Sequence, residues 1–251
     1  MRNSIVRVGI ICPAPIEYQT CRDLLRLSNE AELAGRLVSS KSDRGIEITA
    51  VQAGPGKIQS ASATQLIIDR FEPDIIIDTG GAGALSPRVA VFDIVCGEFA
   101  YEYDICIVEE FPRLEDDLTT STVLPDLSEE GKDILHQFVE KVKSERSIGF
   151  EIGNIVSGER NVNEKTLRDK LHTAFKALAC NWESSAILKT AQLNGVKAMA
   201  FLVITDYAGG EMSEELRANW KKALMILFPV LEEFLLGSWL PRILDCLKKE
   251  T

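Results

Sequence analysis

The fold of this chain is decided by the stretch Asp74-Ile75-Ile76-Ile77-Asp78-Thr79-Gly80-Gly81-Ala82-Gly83-Ala84-Leu85. Its first half is an apolar β-branched run, which predicts a central strand that is covered on both faces. Its second half holds three glycines within four residues, and glycine lets a ligand approach the backbone without a Cβ in the way. Because open α/β sheets bind ligands at the carboxyl ends of their strands, we expect a ligand site here. The alternative is a tight connection from strand to loop.

The glycine loop fits neither of the two common phosphate-binding motifs. The glycine spacing of residues 80–83 differs from the dinucleotide fingerprint, and Leu85-Ser86-Pro87 follows where that motif would start a helix. A P-loop would need Gly-Lys-Ser/Thr after the glycines, and that sequence is absent. Phosphate binding at this loop therefore has little support.

Length and composition predict one large α/β domain over residues 1–251. The chain is 45% hydrophobic and 26% charged, which is enough apolar material for a sizeable core, and no linker divides it. It has 38 acidic against 28 basic residues and a formal net charge of −10. That charge disfavours nucleic acid and anionic membranes as partners. We expect neither partner, and no cofactor or metal.

The cysteines and the N-terminus predict a cytoplasmic protein. Cysteines stand at positions 12, 21, 96, 106, 180 and 246 without a Cys-x-x-Cys pair. This pattern is typical of buried thiols in a reducing compartment rather than of disulfides or a zinc site. Arg7 interrupts the apolar N-terminal run, which therefore favours a first strand over a secretion signal.

Two strand ends before the central strand are expected to face the same edge of the sheet. A strand over Ile5–Cys12 is followed by a helix start that carries Glu17, and a strand over Ile46–Gln52 is followed by a second glycine loop, residues 53–57. One pocket could use both glycine loops. For Glu17, the alternative is an ordinary carboxylate at a helix N-terminus. Residues 28–44 are polar and weakly patterned, and Asp43-Arg44-Gly45 predicts a hairpin-like turn before the strand Ile46–Gln52.

Two more carboxylates follow apolar strands in the second half of the chain. Glu183 comes after the run Ala177–Cys180, and Asp206 comes after a strand over Val196–Ile204. A carboxylate in such a place must be paired, hydrogen-bonded or shifted in pKa. Together with Glu17 they fit a pocket that cleaves a glycosidic bond, in which one group protonates the leaving group, one activates water and one binds sugar hydroxyls.

Two other segments carry predictions of their own. Residues 109–127 predict a surface loop that could act as a lid over the pocket or pack on a partner subunit. In the last long helix, which starts near Ser213, Pro229 is expected to end or kink the helix.

Six stretches in order along the chain together resemble one known family. They are Val8-Gly9-Ile10-Ile11 with Glu17, Gly54-Pro55-Gly56-Lys57, Asp74 to Leu85, Val156-Ser157-Gly158, Trp182-Glu183, and Ile204-Thr205-Asp206. On these stretches the chain resembles the nucleoside phosphorylase/nucleosidase superfamily, and within it most of all the 5′-methylthioadenosine/S-adenosylhomocysteine nucleosidases.

The resemblance implies a fold, an assembly and a set of roles. The fold would be a three-layer α/β/α sandwich on a mixed, twisted sheet, and the protein a homodimer that binds a small nucleoside. Glu17 would activate water, Asp206 would protonate purine N7, and Glu183 would hold the ribose hydroxyls. The other substrate-binding positions implied are Gly81, Ala82, Gly83, Asn161, Val162, Trp182 and Thr205.

Three departures from the family pattern leave the base and the 5′ substituent open. Asn161 stands where the family has an aromatic ring, Trp182 where it has methionine, and Gly81 where serine is common. Arg160, beside the expected base site, could prefer a carbonyl or carboxylate on the substrate.

Two other functions within the superfamily were weighed against hydrolysis. Phosphorolytic relatives have Gly-Asp-Pro-x-Arg at the first strand end, whereas residues 12–15 here are Cys-Pro-Ala-Pro. The carboxylate of Glu17 would also repel phosphate. A non-catalytic nucleoside-binding protein would not need Glu17 and Asp206. We therefore expect a hydrolytic nucleosidase.

Overall fold

The computed structural model describes residues 5–105, 119–210 and 212–247 of the chain. These residues form ten strands and seven α-helices. The strands are β1 Val6–Cys12, β2 Asn29–Leu33, β3 Arg36–Asp43, β4 Ile46–Gln52, β5 Ile75–Ala84, β6 Ile94–Glu102, β7 Thr119–Ser121, β8 Phe150–Ser157, β9 Ala177–Asn181 and β10 Lys197–Tyr207. The helices are α1 Pro15–Leu25, α2 Lys57–Phe71, α3 Glu129–Arg146, α4 Lys165–Phe175, α5 Ser184–Leu193, α6 Met212–Leu236 and α7 Trp239–Asp245, with a 3₁₀ turn at Leu124–Asp126.

Strand β5, which carries the glycine loop, is the centre of a mixed sheet. It pairs in parallel with β1 on one side and with β10 on the other. Beyond β1 the sheet continues through β4, β3 and β2, and beyond β10 it continues through β6, β8 and β9. The predicted α/β fold with a mixed sheet is therefore confirmed.

The predicted three-layer sandwich needs a correction, because part of the sheet closes into a barrel. Strand β9 returns to β5 and pairs with it at Gly83 and Ala84, which closes the circuit β5, β10, β6, β8 and β9. The closure is possible because β1 pairs only with residues 75–78 of β5, which leaves that side of the later residues to β9. Irregular registers in β6, β8 and β10 also bend these strands.

Two hydrophobic cores cover opposite faces of the sheet. Strand β10 shows the division: Met199, Phe201 and Val203 belong to one core, and the residues between them belong to the other. This is the period-two alternation of a strand that is buried on both faces. The first core packs against α1, α3, α6 and α7, and the second core packs against α2 and α5.

Two details of secondary structure differ from the sequence predictions. Residues 28–44 form the β2–β3 hairpin, whose backbone pairs although most side chains of β2 are exposed, so no buried face marks it in the sequence. Of the two outcomes expected for Pro229, the end of the helix is wrong, because Pro229 lies inside α6 and its neighbours Phe228 and Val230 are buried in the first core. Tertiary packing outweighs the hydrogen bond that proline removes.

The described cysteines agree with the prediction of buried thiols. Cys12, Cys21, Cys96 and Cys180 are buried and free, and Cys246 is free and partly buried. Cys106 and residues 109–118 of the predicted lid lie outside the described residues. Within the three described ranges no single helix is long and apolar enough to cross a membrane; the part of α6 from Ala218 onward and α7, bent by 57°, pass that test only as a pair.

Candidate active site

A cavity of about 240 Å³ opens at the carboxyl ends of β1, β5 and β10. All the predicted site residues line it except Val162, which lines an adjoining cavity of about 50 Å³. The residues that line the larger cavity are Pro13, Ala14, Glu17, Pro55, Gly81, Ala82, Gly83, Asn161, Cys180, Asn181, Trp182, Glu183, Thr205, Asp206, Leu216 and Trp220. The structure thus brings the predicted residues together from five separate segments of the chain.

Glu17 lies in the first turn of α1, which begins at Pro15 directly after β1. Its Oε2 accepts a hydrogen bond from the Ala14 backbone N–H (2.7 Å), and its Oε1 accepts one from the Gly81 N–H (2.8 Å) and one from the Trp220 indole (3.3 Å). Burial raises the pKa of Glu17 to about 8 against the opposing effect of these bonds, and the charge of Glu183 raises it further. Glu17 is therefore a buried acid that is half ionised near pH 8.

The glycines of β5 make room for the acidic groups of the site. At Gly80, where φ is +152°, an added Cβ would lie 2.6 Å from Oε1 of Glu17. At Gly81 it would lie 2.8 Å from Cγ2 of Thr205, and at Gly83 it would lie 3.4 Å from Oδ2 of Asp206. Gly81 and Gly83 line the cavity. The lack of a side chain at Gly80 and Gly81 also leaves space for the side chains of Glu17 and Thr205.

Glu183 lies between β9 and α5 and is held by the second glycine loop. Its Oε1 accepts a hydrogen bond from the Gly56 N–H (2.8 Å), and its Oε2 accepts one from the Trp182 N–H (3.1 Å). Burial raises the pKa of Glu183, while these backbone bonds lower it. The expectation that one pocket uses both glycine loops is confirmed.

A buried polar network lies behind Glu183 and fixes the start of α5. Asn181 donates from Nδ2 to the Ser184 hydroxyl (2.7 Å), and that hydroxyl donates to Oδ2 of Asp78. Asp78 is fully buried, and its Oδ1 has no hydrogen-bond partner in the described part of the chain. Burial raises the pKa of Asp78 to about 7, with Ser184 opposing the rise and the charge of Glu183 adding to it.

Asp206 stands near the end of β10, where the register of β10 against β5 shifts. The hydroxyl of Thr205 donates to Oδ1 of Asp206 at 2.7 Å. The thiol of Cys180 lies beside this carboxyl, and burial followed by the charge of Asp206 raises the pKa of Cys180 to about 12. Asp206 is 3% exposed, so any proton it transfers passes to a group inside the cavity.

Helix α6 supplies side chains to the site that the sequence did not predict. Leu216 and Trp220 line the cavity, and Asn219 donates from Nδ2 to the backbone oxygen of Thr205 at 3.1 Å. The spacing of Leu216 and Trp220 is that of the core face of an amphipathic helix. Only the polar Asn219 beside that face could have signalled a different role.

The residues around the expected base site face the smaller cavity. Arg160 and Tyr103 line this cavity together with Asn161, and the Tyr103 hydroxyl donates to the Arg160 backbone oxygen at 2.5 Å. The Arg160 side chain is 61% exposed and lies 3.7 Å from Glu164. The guanidinium is thus near the cavity but still in contact with solvent.

The charge of the larger cavity is entirely acidic among the residues described. Glu17, Glu183 and Asp206 line it, and no lysine or arginine of the described ranges does. The nearby Lys57 ammonium is engaged by Glu102 (3.0 Å) and Asp104 (2.7 Å). Such a cavity can accept hydrogen bonds from hydroxyl groups and can exchange protons, but its described side chains include no cation to neutralise an anion.

The fold and the cavity together define a class of protein: an α/β protein with buried carboxyl groups in a cavity at the carboxyl ends of its strands. The family model of the phosphorylase superfamily matches residues 7–236. The chain therefore belongs to the phosphorylase superfamily.

One curated relative and two solved structures illustrate what the chain is similar to. A 5′-methylthioadenosine/S-adenosylhomocysteine nucleosidase of Staphylococcus aureus is 29% identical over 228 residues, 86% of this chain and 93% of the relative. The S-adenosylhomocysteine nucleosidase of Streptococcus pyogenes with 5-methylthiotubericidin has a TM-score of 0.81 at 22% identity, covering 93% and 97% of the two chains. Futalosine hydrolase of Helicobacter pylori has a TM-score of 0.77 at 21% identity, covering 96% and 98%.

Proposed function

We propose that this protein hydrolyses the N-glycosidic bond of a purine-type nucleoside, of the class for which its nucleosidase relatives are named. The observation that carries the proposal is the cavity lined by three buried carboxyl groups and, among the described residues, by no cation. Hydrolysis of a glycosidic bond needs a base for water and an acid for the leaving group. The cavity offers candidates for both.

Each carboxyl group takes one role in the proposed reaction. Glu17 accepts a proton from water as the water oxygen bonds to the anomeric carbon. Asp206 gives its proton to N7 of the purine as the bond between that carbon and N9 breaks. Glu183 accepts hydrogen bonds from the ribose 2′- and 3′-hydroxyls. The products are the neutral base and a free pentose derivative.

Phosphorolysis is the less supported alternative. A phosphate dianion in this cavity would face Glu17 and Glu183 with no described lysine or arginine to balance its charge. The backbone N–H groups of Gly56 and Lys57, at the start of α2, already bind Glu183 and Glu159. The helix N-terminus that could hold an anion is thus occupied by the protein's own carboxylates.

The proposed site leaves room for a preference other than methylthioadenosine. Asn161 offers an amide where a ring would stack on the base, and loss of such stacking weakens base binding by about 1–3 kcal/mol. Arg160 lines the adjoining cavity and could contact a carbonyl or carboxylate. Methylthioadenosine exceeding all other nucleosides by orders of magnitude would contradict this part of the proposal.

Release of free base from a panel of purine nucleosides, with and without inorganic phosphate, tests the proposed function. We expect the same turnover in both conditions and free pentose as the sugar product. Strict dependence on phosphate would establish phosphorolysis instead. Tight binding of a nucleoside without any turnover would establish the non-catalytic alternative.

We also propose that the chain forms a homodimer. Ile58 on α2 is 79% exposed and Leu193 on α5 is 76% exposed, and these two helices are joined by hydrogen bonds between Gln65 and Asn194. Both side chains would be covered if these helices packed against a second copy of the chain. Light scattering of the purified protein measures the assembly.

A further inference from the structure

The Trp220 indole is a part of the site to which the proposed reaction assigns no role. It projects from α6 and donates from Nε1 to Oε1 of Glu17 at 3.3 Å. Four residues earlier, Leu216 lines the same cavity, and the adjacent Asn219 binds the backbone oxygen of Thr205. One face of α6 therefore contacts both Thr205, next to Asp206, and Glu17. Trp220 makes the contact with Glu17, the proposed base for water.

The hydrogen bonds of Glu17 assign different tasks to its two oxygens. A carboxylate oxygen can accept about two hydrogen bonds. Oε1 already accepts two, from the Gly81 N–H and from the Trp220 indole, whereas Oε2 accepts one, from Ala14. Oε2 therefore has a free acceptor position for water. Because the indole takes the second acceptor position of Oε1, Oε2 is the Glu17 oxygen that can still accept a hydrogen bond from water.

We propose that Trp220 is a positioning residue for the attack on the anomeric carbon, because its indole N–H fixes Glu17 so that Oε2 receives the proton of the attacking water. This inference rests on the proposed hydrolytic function. Trp220 acts through Glu17 and not on the substrate itself. It differs in this from Trp182, which lines the cavity without a described hydrogen bond from its ring.

The groups around Glu17 explain why a hydrogen bond from the neutral indole of Trp220 affects the ionisation of Glu17. Glu183 approaches from the start of α5, and the Cys12 thiol, on β1, is buried beside Glu17 with Asp78 of β5 nearby. Acidic neighbours and burial both favour the protonated form of Glu17. The opposing contributions come from hydrogen-bond donors, and the indole is the one side-chain donor among those described.

Substitution of Trp220 by phenylalanine tests the proposal, since it removes the N–H and keeps an aromatic ring. The rate should rise with pH as Glu17 ionises, so loss of the donor should move this rising limb to higher pH by roughly half a unit to one unit. We expect kcat to fall roughly tenfold, the order expected for one lost hydrogen bond to a charged group, with KM changed less than threefold. Trp220→Gln, which restores an N–H donor, should recover part of both effects.

Trp239→Phe is the matched control, because Trp239 packs on Phe138 in the first core and does not line the cavity. Its pH profile should match that of the wild type. A Trp220→Phe enzyme with kcat within twofold of wild type and an unmoved rising limb would overturn the proposal. So would failure of Trp220→Gln to recover either property while the variant remains folded by circular dichroism.

A fluorescence titration tests the contact without any turnover. Indole emission of the wild type should change with a midpoint near the pKa of Glu17, about 8, and Glu17→Gln should abolish that transition. If the wild type cleaves no nucleoside in the panel, the proposed function fails, while this titration still decides whether Trp220 and Glu17 interact. Absence of the transition in the wild type would count against the inference alone.

Discussion

The two ends of the cavity hold their carboxyl groups in different ways. Glu17 is held by N–H donors from three parts of the chain, at Ala14, Gly81 and Trp220. The bond described for Asp206 comes from the hydroxyl of Thr205, the preceding residue. An N–H group only donates, whereas a hydroxyl can rotate and either donate or accept. The three N–H donors stabilise the charged form of Glu17, as the proposed base requires, whereas the Thr205 hydroxyl can adjust to either protonation state of Asp206.

The largest effect expected from this difference is that of Asp206→Asn. An amide keeps the shape of the carboxyl group but cannot release a proton, and general acid catalysis supplies about 10²–10⁴-fold. We expect a loss of that order on a purine nucleoside, which leaves poorly unless protonated. The loss should be small on a nitrophenyl riboside, which leaves readily as an anion. The measurement is turnover of both substrates.

Glu17→Gln provides the contrasting result at the other end of the cavity. Water must be activated whichever group departs, so this variant should slow both substrates by similar factors. Equal impairment of the two substrates by Asp206→Asn would remove the acid role from Asp206, and the functional difference between the two ends would disappear.

A smaller effect is expected from Asp78→Asn, in the buried polar network behind Glu183. The pKa of Asp78 is raised from 3.8 to about 7, so the folded state holds the proton more tightly than the unfolded state. Stability is therefore lost as pH rises from about 4 to about 7, and the full cost, on the order of 4 kcal/mol, is present above that range. Asparagine removes this cost but buries an amide donor without a partner, which costs about 1–3 kcal/mol.

Urea unfolding of wild type and Asp78→Asn at pH 5 and pH 8.5 measures the net effect of these two costs on the free energy of unfolding. We expect the variant to gain roughly 1–3 kcal/mol relative to wild type between the two pH values. The other buried acids, including Glu17, are present in both proteins and cancel in the comparison. A difference between the proteins that does not change with pH would mean that Asp78 is not the titrating group.

The carboxyl groups and the glycine loop of the site could be predicted from the sequence, because their positions depend on residues that are close to them in the chain. A carboxylate or glycine directly after an apolar strand lies at the edge where parallel strands end, and this rule located Glu17, Gly81, Glu183 and Asp206 in one cavity. Periodicity and strand-end polarity are properties of neighbouring residues. They need no knowledge of which strands pair.

The side chains from α6 and the closure of the sheet could not be predicted in this way. Trp220 is separated from its partner Glu17 by 203 positions in the sequence, and its spacing is that of any core-facing helix residue. Closure of the sheet depends on the pairing of β9 with Gly83 and Ala84 of β5. The composition of the two strands does not show which of their residues pair. The β2–β3 hairpin could not be predicted because its backbone pairs while the side chains of β2 remain mostly exposed.

The smallest effect expected concerns Gly81, where the two ends of the cavity meet. Its N–H binds Glu17, while a Cβ added to it would lie 2.8 Å from Cγ2 of Thr205. Its φ is not positive, so the backbone itself does not require glycine. Gly81→Ala should therefore cost about 1–3 kcal/mol through the steric contact alone.

The double variant Gly81→Ala with Thr205→Ser separates this contact from other effects. Serine keeps the hydroxyl that binds Asp206 and removes the methyl group that the new Cβ would meet. The two substitutions should be non-additive, with the double variant more stable than the sum of the single variants by about 1 kcal/mol. Urea unfolding of the four proteins gives the coupling energy. Strict additivity would show that Thr205 does not set the size limit at Gly81, and that the 3.3 Å approach of the Trp220 indole to the same Cβ position does so instead.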